Sequence, residues 1–521
     1  MRNAKKAPLL LLVLLAVSLC WTLLCALMGD QIPVLRTICR LSPYILAFVL
    51  FHICLSSRRQ LTERVLFVAL CCYSLVECGL GVAQLAGWAE SRHAIFKLTG
   101  NFVNPAPYAC FLGITAVCCS VRLLRRDCGT AIKILSWITL LWTMTMVVIA
   151  RSRAVWLGIA LALILVVFKE TNIWSRIRHK CLLVCCAAVI FLAGCFGAWM
   201  MKPESARARL CIWQIDCLAI ADHPLFGVGP GAEMGAYAEA QIDYFRHRVR
   251  GIERQQAADS PQTPFNEFLR AGMGCGVPGL LLTVVIYLLA LTGEIRNRRL
   301  FSYPLVVLGT FALFSFPLKQ FALSLVLSLC LADATASEEL KNKHPRKMKV
   351  VAAVVIAASI PFCIMEFRSK YEFLECVDAA KEHTLSTEEI AEYNKQLDNE
   401  PDFLLLYFNA LNNEGKYSEA LSVIRKLERI SANPIYYILH GNICQMTGNI
   451  PEAAEAYIKS YYIAPSRLTA LYCLMTLYRQ NGLIREASET KEFALSIPVR
   501  EKHTATLEMR GKIEEFSLTV R

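Results

Sequence analysis

The chain is predicted to be all-α and two-part: a polytopic membrane helix bundle with one large outer loop, followed by a smaller array of helical repeats. Three observations predict it. Of its 521 residues, 55% are hydrophobic and only 19% charged, too apolar for a soluble protein of this size. Residues 202–264 form one extended polar interruption between long apolar runs. Beyond residue 366 the hydropathy falls and a period of 33 to 34 residues begins.

Crossing a hydrocarbon core of about 30 Å takes ~17–25 helical residues. Apolar runs of roughly that length lie near 8–28, 40–57, 64–87, 105–121, 131–150, 153–168, 181–201, 274–292, 302–317, 318–333 and 348–366. They give about eleven spans, with twelve the upper count. The first run exceeds an ordinary signal core and lacks a small-residue cleavage site, so it reads as a retained helix.

Basic residues resist translocation and gather on the cytoplasmic side. The connections 1–7, 57–64, 121–133, 169–180, 293–299 and 334–349 together hold 22 Lys and Arg, whereas 29–40, 88–104, 151–153 and 317–320 hold 7. This alternation puts the N-terminus inside, and both the loop 202–264 and everything after 366 outside. The net charge of +13 therefore reports topology and gives no reason to invoke nucleic acid. A transporter is disfavoured as well, because no inverted repeat is evident and Glu77 stands alone as an acidic residue in mid-span.

Most of the 23 cysteines, such as Cys71-Cys72, Cys118-Cys119 and Cys185-Cys186, fall in apolar runs, where they act as small hydrophobes. Cys211, Cys217, Cys376, Cys444 and Cys473 fall in the outer regions, where a bridge is chemically permitted. No CxxC pair occurs, which disfavours metal and redox chemistry.

In the last third, Gly415, Gly448 and Gly482 recur with Glu419-Ala420, Glu452-Ala453 and Glu486-Ala487 behind them, and Pro434, Pro465 and Pro498 recur near the unit ends. This pattern resembles the tetratricopeptide repeat, which implies an α-solenoid over 367–521 with a less regular leading segment at 367–400. The alanines let helices approach closely, and each proline is expected to end a repeat. The array is either a stabilising appendage or a concave surface for a protein partner or acceptor, lined in part by Tyr407, Tyr436, Tyr437, Tyr461 and Tyr462.

Candidate chemistry concentrates around the outer loop. Arg151-Ser152-Arg153 puts two arginines at a tight outer hairpin against the basic-inside bias. They either snorkel to the interface or bind a phosphate, whose oxygens match a guanidinium fork. Arg209, near Arg207 and Lys202, shares a face with Trp213 and Asp216 if 205–221 is a helix, because i, i+4 and i+7 align. Trp213 then serves as an interfacial anchor or a ligand contact. Gly227, Gly229 and Gly231 make a turn whose backbone can approach a ligand closely. Arg246-His247-Arg248-Val249-Arg250 with Arg254 is either an anion-binding cluster or a solvated face. No metal site emerges, because Asp216, Asp222, Glu233, Glu239, Asp243, Glu253 and Asp259 are scattered with no Asp-x-Asp pair.

Together these pieces resemble the O-antigen ligase and O-antigen polymerase superfamily of bacterial membrane glycosyltransferases over roughly residues 8 to 333. The resemblance rests on Gly100-Asn101-Phe102-Val103-Asn104-Pro105, Ser152-Arg153, Arg209-x3-Trp213, His223-Pro224-Leu225-Phe226-Gly227-Val228-Gly229, Phe265-Asn266-Glu267-Phe268-Leu269 and Gly276-Val277-Pro278-Gly279. It implies a multi-pass inner-membrane enzyme, with a membrane domain at 1–366 and periplasmic repeats. The implied reaction moves a glycan from undecaprenyl diphosphate to a lipid A core or protein hydroxyl, with no cofactor, metal or sugar nucleotide. Membrane lipids and a protein bound through the repeats are the other implied partners.

By that resemblance Arg153 and Arg209 hold the diphosphate as it leaves, with Arg151 a second candidate. Arg207, Trp213, Gly227, Gly229 and Asn266 are placed around the substrate. The family's histidine before the asparagine, held to activate the acceptor, is Phe265 here. Glu267 and His247 are candidate replacements, and His223 is expected to be structural. A polymerase reaction, in which another lipid-linked unit is the acceptor, stays open, as does a non-catalytic envelope scaffold.

Overall fold

The computed structural model describes residues 7–29, 31–125, 128–171, 203–248, 263–297, 299–336, 345–381, 386–498 and 504–517, with Gly251, Gln256 and Pro261. The span expected at 181–201, and Lys202, Val249, Arg250, Glu253, Arg254 and Asp259, lie outside the described residues. Among the described residues the chain forms nineteen α-helices and no strand. Among the described residues six helices are long and apolar enough to cross a membrane: Ala7–Met28, Val34–Ala86, Pro105–Leu124, Thr130–Ile149, Glu267–Thr292 and Lys349–Ala379.

These helices follow the expected stretches with informative differences. Val34–Ala86 runs through both stretches expected at 40–57 and 64–87 and bends at Arg58, where φ is −140° and ψ 60°. Ser302–Ala312 and Phe321–Thr335 are each shorter than a full crossing. The segment from Gly100 to Pro105 folds against the second half of Val34–Ala86. Glu77, fully buried there, accepts from Asn101 N at 2.9 Å and Asn101 Nδ2 at 2.8 Å. Asn104 then caps Pro105–Leu124 by accepting from Ala106 N at 3.0 Å, and Pro105 fills the first turn, where no N–H is needed.

Polar contacts sort the connections into two groups. Arg59 and Arg299 both bond to Asp333 or the Ala336 carbonyl, Arg122 faces Glu63, and Arg125 pairs with Glu170 at 2.9 Å. In the other group, Arg36 and Arg40 reach Glu400, Arg246 reaches Glu455, and the Leu318 N–H reaches Glu267.

The last third is a row of short helices, each packed on the next, from Thr387–Leu397 to Thr504–Glu514. Gly415, Gly448 and Gly482 have φ of 74°, 78° and 74°, and each makes the left-handed turn inside one helix pair. Ala420, Ala453 and Ala487 are fully buried where the pairs touch. Two expectations change here. Pro434 opens the helix Pro434–Met446 instead of ending a repeat, since a first-turn residue needs no N–H donor. Tyr407, Tyr436, Tyr437 and Tyr461 are buried and fill the core, so they do not line an open concave surface.

Candidate active site

The loop that begins at residue 202 is built around the helix Pro203–Asp222, which lies across the helices Glu233–Asp243 and Glu267–Asn297. Its Ile212, Ile215, Ala219 and Ile220 pack with Tyr237, Phe245 and Met273 in one apolar cluster that also takes in Tyr437 and Ile463 of the last third. Arg209 and Trp213 face Phe265 and the Phe314–Phe316 segment. The Arg209 guanidinium sits 5.6 Å over the Phe265 ring, which is 6.0 Å from Phe316, while Trp213 is 5.9 Å from Phe314. An aromatic shelf therefore carries the arginine.

Arg153 opens the helix Arg153–Glu170 after a hairpin in which Arg151 takes a left-handed φ of 52°. Arg151 and Arg207 are exposed. Burial holds the Arg209 guanidinium below its ordinary pKa, and the positive charge of Arg153 pushes it further down. Two cations 56 positions apart in the chain are thus held close enough to repel one another. A bound anion would offset the burial of Arg209 and its repulsion by Arg153 together.

The glycine turn does something other than expose its backbone. Val228 N donates to Met273 O at 2.9 Å, Gly229 N to Gly274 O at 3.1 Å, and Val277 N to Pro224 O at 2.8 Å. The Met273 and Gly274 carbonyls and the Val277 N–H flank a break in the helix Glu267–Asn297 at Cys275 and Gly276, so the turn satisfies groups that the break frees. Gly227, at φ 66°, lies so close to the Met273 carbonyl that a Cβ would collide with it. Trp21 locks the break from the other side, donating to Cys275 O at 2.9 Å and stacking on Phe226.

At the loop's end Asn266 caps the helix Glu267–Asn297, accepting from Phe268 N at 2.9 Å and Leu269 N at 3.1 Å. Glu267 is buried and fully engaged: Arg270 Nε donates to it at 2.6 Å and Leu318 N at 2.8 Å. Arg270 also faces Glu233 at 3.7 Å, whose other oxygen accepts from Gly231 N at 2.9 Å. Lys319 joins this cluster; burial above all, then Arg270, holds its pKa below the ordinary value. His247 is exposed on the π-turn Tyr244–Arg248, 3.8 Å from Asp243, and His223 is exposed at the start of the glycine turn. Neither histidine is among the contacts of Arg209. Arg246 pairs with Glu455 at 2.9 Å and covers Tyr462, so the basic cluster is partly spent on the last third.

Asp216, Arg270, Glu233 and Lys319 carry more of this geometry than their sequence positions suggest. Asp216 is fully buried, and both its oxygens, like Trp213 Nε1, lack a hydrogen-bond partner among the described residues. Burial raises its carboxyl well above the usual range. A raised folded-state pKa means stability that is present below the ordinary value of about 3.9 and lost as pH climbs through the raised one. The thermal midpoint of the detergent-purified protein is therefore expected to fall as pH rises above about 4, and Asp216→Asn to flatten that slope. Equal slopes in the two proteins would contradict the assignment.

A cavity of about 650 Å³, which neither arginine of the pair lines, lies between Gly29, Gln31 and Ile32 and the side chains of Arg425, Lys426 and Arg429. It belongs to the contact between the first connection and the last third, and the chemistry of the loop is not built on it.

Fold and site define a multi-pass, all-helical membrane protein in which a half-buried arginine on the helix Pro203–Asp222 feels the charge of a second arginine at a hairpin. The family model described as O-antigen ligase matches residues 138–284, a stretch that contains Arg153, Arg209, the glycine turn and Asn266. That match supports the O-antigen ligase superfamily and suggests ligase- or polymerase-type glycosyl transfer in envelope polysaccharide synthesis. No curated protein matches the chain significantly.

Proposed function

We propose that this protein is a glycan ligase that transfers a saccharide from undecaprenyl diphosphate to an acceptor hydroxyl, on a lipid A core or a protein, at the periplasmic face of a bacterial inner membrane. The observation that carries the reading is the approach of Arg153 and Arg209 inside the matched stretch. Attack of the acceptor oxygen on the anomeric carbon leaves a diphosphate whose charge grows as the bond breaks. Preorganised guanidinium groups in a poorly solvated site stabilise that charge without a metal ion.

In this reading residues 1–366 are the membrane domain, with about eleven spans and a cytoplasmic N-terminus. The loop 202–264 and residues 367–521 are periplasmic, and the helix pairs of the last third are tetratricopeptide repeats. Arg151 and Arg207 add positive charge at the rim for the incoming donor. Trp213, Gly227, Gly229 and Asn266 hold the loop in shape around it. Phe265, standing where the family has its histidine, serves as the platform for Arg209.

A deletion strain tests the reaction. A ligase deletion accumulates long chains still linked to the lipid carrier, with bare acceptor. Chains of a single repeat unit would assign the polymerase reaction instead, and unchanged glycans would remove both.

A further inference from the structure

The helices outside the matched stretch hold a side-chain cluster that the arginine site does not use. His440 and Cys444 stand one turn apart on the helix Pro434–Met446, and the i, i+4 spacing puts both on one face. Against that face the helix Ile450–Ile463 brings Glu452, and the helix Tyr417–Ile430 brings Glu428 and Arg425. His440 Nε2 lies 3.2 Å from Glu452 Oε1, and His440 Nδ1 lies 2.9 Å from Glu428 Oε1. The ligand atoms of His440, Cys444 and Glu452 all fall within 4.8 Å of one another, with Cys444 in the core and Glu452 half-exposed.

Three physical features distinguish this cluster from an ordinary ion-pair network. Nitrogen and oxygen ligands held tetrahedrally at ~2.0–2.1 Å from zinc stand about 3.3 Å apart, close to the separation of His440 Nε2 and Glu452 Oε1. Imidazole, thiolate and carboxylate together are a donor set suited to zinc rather than to calcium or magnesium. A metal-bound histidine usually gives its second ring N–H to a carboxylate, and Glu428 stands in that place. Arg425 pairs with Glu452 and also lines the cavity beside the first connection, so its guanidinium has somewhere to go when a cation takes the carboxylate.

We propose that His440, Cys444 and Glu452 bind a zinc ion, with Glu428 orienting the His440 ring and a water completing the tetrahedron. The ion would clamp two consecutive helices and, through Glu428, a third. Two of these three, Tyr417–Ile430 and Ile450–Ile463, form the platform on which the outer-loop helix Glu233–Asp243 rests, where Gly235 meets the Arg429 backbone. Zinc at this site holds that platform together, and the inference stands whether or not the chain is a ligase.

The test uses the full-length chain in detergent, stripped of metal and then titrated with Zn²⁺ or Co²⁺. A single zinc per chain by mass spectrometry is expected, and a thiolate-to-cobalt charge-transfer band with Co²⁺. Cys444→Ser abolishes the band and lowers occupancy, whereas Cys473→Ser, a nearby thiol outside the set, changes neither. Glu428→Gln keeps the band and weakens affinity roughly 10–100-fold. Should Cys444→Ser fail to fold, Glu452→Gln, at the half-exposed edge, repeats the occupancy measurement. No bound zinc in the natural chain, or a band that survives Cys444→Ser, overturns the proposal.

Discussion

Arg209→Ala and Arg153→Ala are each expected to lower glycan transfer by roughly 10²–10³-fold, the loss seen when one preorganised donor to a developing oxyanion is removed. Burial and the charge of Arg153 both work against a charged Arg209, so the unliganded pair is held at a cost that an incoming diphosphate removes. The two substitutions should not add. Each leaves the surviving guanidinium alone against the leaving group, and residues that act as one unit give a double variant little worse than either single one. Arg209→Lys keeps the charge and loses both the fork and the stacking on Phe265, so it should remain well below the natural chain. The measurement is transfer from a defined polyprenyl-diphosphate glycan, in membranes matched for the amount of inserted protein. Near-normal rates in both alanine variants would end the assignment of this pair to the diphosphate.

Much of the architecture around that pair could be read from the residues. The helical class follows from long apolar runs, six of which, among the described residues, fold as helices long enough to cross a membrane. The i, i+4, i+7 placement of Arg209, Trp213 and Asp216 follows from helical geometry alone. What could not be read depends on partners far away in the chain. The carbonyls that engage the Gly227–Gly229 backbone belong to a helix break some 45 residues further on, and a pattern of glycines does not reveal whether a ligand or another backbone makes the close approach. Glu267 looks like a candidate base by its place next to Asn266, yet Arg270, Leu318 N and nearby Glu233 give it a crowded, polar setting. The tyrosines of the last third are equally instructive, since a phenol suits a binding surface and a helix-packing core alike and only burial separates the two. The group of His440, Cys444 and Glu452 has no CxxC or Asp-x-Asp signature, because its members come from two helices and Glu428 reaches it from a third.

The engaged state of Glu267 yields the second large effect. Arg270→Ala is expected to destabilise the protein by about 3–5 kcal/mol, the range for removing one partner of a buried ion pair. Glu267 and Glu233 are both buried, and Arg270 lies between them. Lys319 is a further cation nearby, but burial holds its pKa down, which makes it a weak substitute. Thermal unfolding in detergent should show the loss, and combining Arg270→Ala with Glu267→Gln should recover part of it, since an uncharged amide no longer demands a counter-charge. The pair also separates two roles for Glu267. If it acts as the proton acceptor, Glu267→Gln abolishes transfer in a protein of natural stability. If it positions the end of the loop, by tying Arg270 to the Leu318 backbone, the same variant unfolds earlier and loses transfer only in proportion. Its two bonds favour the second outcome, because both carboxylate oxygens are already engaged, one by the Arg270 guanidinium and the other by the Leu318 N–H.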